Sequence, residues 1–181
     1  MLIVGLGNPG EKYTNTRHNA GAMLLEHLKN EWDLPDFKLD KYNEAVTSKG
    51  NNIFSTDLLT LSFPQTFMNE SGKSVSNTIK KENISTEKLL VLHDDKDISF
   101  GEIRLQKEIS SAGHKGVQSI IDALGTNSFW RLRVGIGPVP EFIPTEDFVL
   151  QNFSADELEK MPEFFQNAKL KIEQFLKETR V

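Results

Sequence analysis

A chain of 181 residues with 38% hydrophobic and 26% charged side chains has the balance of a folded globular protein, not a disordered one. Its length suits a single domain, 1–181, and its lack of cysteine excludes a disulfide framework, a thiolate nucleophile and a Cys-ligated zinc or iron–sulfur centre. The net charge of −5 argues against non-specific coating of nucleic acid, although Arg104, Lys107, Lys115, Arg131 and Arg133 form one basic stretch in an otherwise acidic chain.

Leu2-Ile3-Val4-Gly5-Leu6 predicts a buried strand ended by the turn residues Gly7-Asn8-Pro9-Gly10, not a secretory leader. No apolar run approaches the roughly 18 residues of a membrane span, so the expected address is the cytoplasm, without membrane association. Residues 11–19 are polar and aperiodic and predict a loop. From Ala20 to Trp32 the apolar Met23, Leu24, Leu28 and Trp32 recur at helical spacing. Strands are expected over 45–49 and 53–63, with Gly50-Asn51-Asn52 as their turn, then a helix over 66–81. Leu89-Leu90-Val91-Leu92 reads as a fully apolar strand presenting His93, Asp94 and Asp95 at its end. A strand over 102–107, a small-residue loop over 110–116, a helix over 117–124 and a strand over 130–136 follow. A terminal helix over 156–179 has Ser154 and Glu157 as a capping box and a break or kink near Pro162. The expected fold is α/β: one domain with a twisted mixed β-sheet flanked by helices and a C-terminal helix.

Two phosphate-binding motifs are imitated and fail on mechanism. Gly5-Leu6-Gly7-Asn8-Pro9-Gly10 matches GxGxxG, but that fingerprint needs a helix opening at its last glycine to face a pyrophosphate, and polar aperiodic residues follow instead. Gly72-Lys73-Ser74 resembles the end of a P-loop, but Phe67 stands where its first glycine belongs and no strand feeds it.

Of the four histidines, His27 falls among the apolar residues of a helix and reads as structural, whereas His18 lies in the polar loop between Arg17 and Asn19. A neutral imidazole there suits general-base removal of a proton from water; a surface histidine bonded within its loop is the alternative. Asp94, at the end of an apolar strand where open α/β sheets present functional groups, suits fixing its tautomer and stabilising the imidazolium. The run Asp94, Asp95, Asp97 also suggests a metal-dependent phosphoesterase, but hard cations need roughly six oxygen ligands and the glycine spacing of a calcium loop is missing. Asn8, Asn19 and Asn69 are neutral amides suited either to orienting a carbonyl or to capping and turns.

The blocks Gly5-Leu6-Gly7-Asn8-Pro9-Gly10 with Tyr13 and Thr16-Arg17-His18-Asn19, Thr66-Phe67-Met68-Asn69, His93-Asp94-Asp95 and Arg131-Leu132-Arg133-Val134-Gly135-Ile136-Gly137 together resemble the bacterial peptidyl-tRNA hydrolase family over essentially the whole chain. The resemblance implies an esterase that cleaves peptidyl-tRNA between the peptide carboxyl and the 3′ ribose hydroxyl, rescuing tRNA from aborted translation. It implies no metal or organic cofactor. It also implies His18 as the base held by Asp94, with Asn8, Tyr13, Met68, Asn69, His114 and Lys115 at the substrate and Lys107 and Arg133 on tRNA phosphates. A monomer is the default. Lys115 departs from the asparagine usual in the family, and Pro138-Val139-Pro140 lacks the basic residue that often follows the last strand. The competing expectation is therefore a catalytically weakened RNA-binding module of the same fold.

Overall fold

The computed structural model describes residues 1–51 and 58–178. Among these, strands β1 (Leu2–Gly5), β2 (Lys38–Asp40), β3 (Ala45–Asn51), β4 (Leu58–Pro64), β5 (Leu89–Ser99), β6 (Ile103–Lys107) and β7 (Trp130–Gly137) build one sheet in the order β2-β3-β4-β1-β5-β7-β6. The central β4-β1-β5-β7 strands pair in parallel, and the edge pairings β2–β3, β3–β4 and β6–β7 are antiparallel. The sheet is mixed, as the closely spaced strands require.

Helices cover both faces, which is why β1 and the Leu89–Leu92 stretch of β5 are apolar at every position. Ile3, Leu90 and Leu92 point into a core filled by Leu24, Leu25 and Leu28 of α1 (Ala20–Glu31) and Phe164, Phe165 and Ile172 of α5 (Ala155–Glu178). Leu2, Val4, Leu89 and Val91 point into the other, with Val75 of α2 (Ser71–Glu82) and Val117 and Ile120 of α3 (Lys115–Leu124). A short α4 (Thr145–Leu150) precedes α5.

One close approach positions the site. A Cβ on Gly21 would lie 2.2 Å from the carbonyl oxygen of Leu92, and one on Gly5 would lie 2.6 Å from the Gly21 oxygen. Only glycine permits this contact, and it sets the N-terminus of α1 directly on β1 and β5. Residues just before α1 are thereby brought to the carboxyl end of β5.

Several boundaries differ from the sequence reading. The loop over 11–19 contains two 3₁₀ turns, at Glu11–Tyr13 and Arg17–Asn19. Gly50 and Asn51 form no turn but continue β3 opposite Leu59 and Leu58, while Asn52 and the expected strand start over 53–57 lie outside the described residues. The helix expected over 66–81 opens as a 3₁₀ turn at Met68–Glu70 before α2. β5 runs on past Leu92, because His93, Asp94 and Asp95 still pair with Arg133, Val134 and Gly135. The Ser154–Glu157 capping box forms in both directions, Ser154 N–H to Glu157 Oε2 at 2.7 Å and Glu157 N–H to Ser154 Oγ at 3.3 Å. No break occurs at Pro162; α5 is continuous from Ala155 to Glu178. Pro162 and Leu158, whose carbonyl loses its donor, are both exposed, so water can satisfy that carbonyl.

Candidate active site

The carboxyl end of β5 and the starts of α1 and α3 converge on Asp94. His18 Nδ1 lies 2.9 Å from Asp94 Oδ1, and His114 Nε2 lies 2.9 Å from the same oxygen. His114 is the N-cap of α3: its Nδ1 accepts the backbone N–H groups of Gly116 and Val117 at 3.1 and 3.2 Å. An Nδ1 that accepts carries no proton, so the ring proton of His114 sits on Nε2 and is donated to Asp94. His18 likewise donates from Nδ1, which leaves its Nε2 as an unprotonated acceptor at the cavity.

Burial would raise the Asp94 carboxyl, but the two imidazoles outweigh it and hold the group well below the usual carboxylate range. Burial alone would lower His18; the charge and hydrogen bond of Asp94 prevail against it and against nearby Lys115, so His18 titrates above its ordinary value of 6.5. Neighbouring His93 is fully buried and held well below that value by desolvation. It meets the Asp94 carbonyl oxygen through Nδ1 at 2.8 Å, and its Nε2 has no hydrogen-bond partner among the described residues.

His18 and Asp94 face an open cavity of about 730 Å³, lined also by Asn8, Met68, Asn69, His114 and Lys115. The orientation of the Asn8 amide is fixed, because its Oδ1 accepts from Met68 N–H at 2.9 Å; its NH₂ group is left as a donor on the cavity side. The Asn8 backbone is clamped by Asn19, whose Oδ1 takes Asn8 N–H at 2.9 Å while its Nδ2 donates to Asn8 O at 3.0 Å. Asn19 is therefore a support, not a contact. Lys115 is exposed and forms no ion pair among the described residues.

Three expected positions lie elsewhere. Tyr13 is outside the cavity, beneath Lys12, whose Nζ is 4.7 Å from its ring centre. Lys107 and Arg133 are on the β6–β7 surface, also outside the cavity. Lys107 lies 3.7 Å from Glu108. Arg133 is held by Asp95 at 2.7 Å and Gln106 at 2.6 Å, which leaves Nη2 without a hydrogen bond among the described residues. The sequence reading missed the far wall, made by Thr145, Glu146, Val149 and Leu150 of α4. The signal was present, since Pro144 followed by Glu146 and Asp147 marks a helix start.

The loop over 109–114 is tied to the sheet by Arg131. That guanidinium is fully buried, donates to the carbonyls of Ser110 at 2.8 Å and of Ile109, and has no carboxylate partner among the described residues. Burial lowers it to about 10.

His18, Asp94 and His114 place one ligand-type atom each within 4.8 Å of one another. As donors to a metal they fit poorly, because His114 Nε2 carries the proton that its capping role assigns to it and metal ligation needs that nitrogen bare. Asp95 and Asp97 do not join them. Asp95 serves Arg133 and the Asp97 N–H, and Asp97 meets Lys96 at 2.6 Å.

A three-layer α/β protein presenting a histidine–aspartate pair to an open cleft has the design of a general-base hydrolase. The family model for peptidyl-tRNA hydrolase matches residues 2–181. Peptidyl-tRNA hydrolase of Thermotoga sp. (strain RQ2) is 42% identical over 159 residues, covering 87% of this chain and 80% of that protein. The one from Citrifermentans bemidjiense is 39% identical over 177 residues, 98% of this chain and 92% of its own. The crystal structure of peptidyl-tRNA hydrolase from Acinetobacter baumannii superposes with a TM-score of 0.88 at 36% identity, over 98% of this chain and 88% of that one. The chain belongs to the peptidyl-tRNA hydrolase family. No described helix is long and apolar enough to cross a membrane.

Proposed function

We propose that this enzyme hydrolyses the ester bond of peptidyl-tRNA, releasing peptide and free tRNA, with His18 as the general base. The observation that carries the mechanism is the 2.9 Å contact of His18 Nδ1 with Asp94, which aims the bare Nε2 at the cleft. His18 Nε2 takes a proton from a water molecule as its oxygen attacks the ester carbonyl. Asp94 stabilises the imidazolium that forms, and the same proton passes to the departing 3′ oxygen as the tetrahedral intermediate collapses. The Asn8 NH₂ and the Lys115 ammonium are the donors available to the developing oxyanion.

Met68 and the exposed Phe67, opposite Val149 and Leu150, give the peptide an apolar seat beside polar Asn69. Lys107 and the free Nη2 of Arg133 are placed to meet tRNA phosphates, an attachment that should weaken with salt. The enzyme acts as a monomer in the cytoplasm. A weakened RNA-binding module is the less favoured reading, since His18, Asp94 and Asn8 line one cleft.

The test is hydrolysis of an N-blocked aminoacyl-tRNA by the purified chain, with and without excess chelator. Turnover is expected in both conditions, and His18→Ala should lose about 10²–10⁴-fold in kcat while keeping tRNA affinity. Activity that survives in His18→Ala would overturn the assignment of the base; activity lost to chelator would overturn the metal-free mechanism.

A further inference from the structure

Asp94 Oδ1 receives two imidazoles, but the mechanism uses only one. His18 must gain and lose a proton, whereas the Nδ1 of His114 is already engaged as the acceptor that caps Gly116 and Val117. The two rings stand 4.9 Å apart, centre to centre. The side chain of His114 is buried, at 7% exposure, while Asp94 is at 3%, so water does not compete strongly for the shared oxygen.

We propose that His114 is a positioning residue that acts through Asp94: α3 holds it as the Nε2–H tautomer, making it a fixed second donor that orients the carboxylate and limits how tightly Asp94 grips the His18 imidazolium. This deepens the reading of His18 as base and rests on it. A carboxylate bound by His18 alone would stabilise the imidazolium more strongly and leave less free base at neutral pH. A second N–H on the same oxygen disperses that charge. The other charged or titratable groups around the trio are His93, Asp95 and Lys96 on β5, Lys115 on α3 and Glu146 on α4, with Arg17 paired to Glu157 beyond His18. None of these donates to Asp94 Oδ1 in the described hydrogen bonds.

Two substitutions separate positioning from capping. Asn at 114 places an amide oxygen where Nδ1 caps the helix but is too short to reach Asp94; Gln reaches Asp94 with its amide nitrogen but caps poorly. The His18 pKa, read by NMR titration without substrate, should rise by about one unit in His114→Asn and stay near the parent value in His114→Gln, although His114→Gln should have the lower Tm. The midpoint of the pH–kcat/KM profile should follow the same order. An unshifted His18 in His114→Asn, or equal shifts in both variants, would overturn the proposal. Because the titration needs no turnover, an inactive parent enzyme would count against the proposed reaction and leave this result readable.

Discussion

Arg17 and Glu157 lie 140 residues apart in sequence and meet through two parallel hydrogen bonds of 2.7 and 2.8 Å. The same carboxylate takes the Ser154 N–H that caps α5, and the guanidinium rests on Phe148 and Phe153 at 4.6 and 5.1 Å. The residue next to the base is thus fastened to the start of the last helix. Glu157→Ala removes a charge-assisted pair and half a capping box together. It should cost about 3 kcal/mol in chemical denaturation and lower kcat about tenfold by loosening His18. A variant of unchanged stability would show that the clamp is idle.

Asp94→Asn tests the electrostatics. Without the carboxylate charge, burial becomes the dominant influence on His18, so its pKa should drop from above 6.5 to below it. The activity profile would then rise at lower pH but to a plateau about 10²–10⁴-fold lower, because nothing stabilises the imidazolium. A midpoint that does not move would falsify the pairing.

Lys115→Met removes a cavity cation that has no ion pair among the described residues, with little change in length. If the ammonium serves the oxyanion, kcat should fall about 10–100-fold with KM little changed. A rise in KM with loss of salt sensitivity would place Lys115 on phosphate instead. Lys115→Asn should recover part of the lost kcat, since an amide can also donate.

His93 contributes to the loss of stability just below pH 6.5. Its folded-state pKa is far below the ordinary 6.5, so below about pH 6.5 the unfolded chain binds a proton that the folded one refuses. Stability must then fall with decreasing pH, by about 1.4 kcal/mol per pH unit for one such group. His18, whose pKa is raised, contributes in the opposite sense: its stabilisation is present below 6.5 and fades as pH rises through its folded value. His93→Asn keeps a donor for the Asp94 carbonyl and should flatten the acid limb of a denaturation-versus-pH series. An unchanged slope would refute the role.

The sequence made the central strands and the candidate His18–Asp94 pair legible for different reasons. Leu89 to Leu92 read as a strand buried on both faces, while His18 stood out as an imidazole in a polar loop and Asp94 as a carboxylate at a strand end, the roles that the four blocks of resemblance also imply. What escaped notice was tertiary in origin. β2 has only three residues, with Leu39 exposed, and carries too little alternation to register as a strand. The extension of β5 through three polar residues depends on pairing with β7, which periodicity cannot reveal. The resemblance sets Arg133 on tRNA phosphates, and nothing in the chain shows that Asp95 and Gln106 stand beside it. The dual use of His114 was invisible for the same reason: capping and Asp94 contact are properties of one ring in space.

The bare hydrogen at Gly21 has a chemical consequence. Since the carbonyl of Leu92 occupies the space of a methyl group there, the spacing between proton acceptor and counter-ion is a mechanical tolerance, fixed by hard contact between a helix and the strand beneath it. Lifting that helix by a single carbon would separate the pair without altering either member, so the contact between His18 and Asp94 depends on a place that carries no side chain at all.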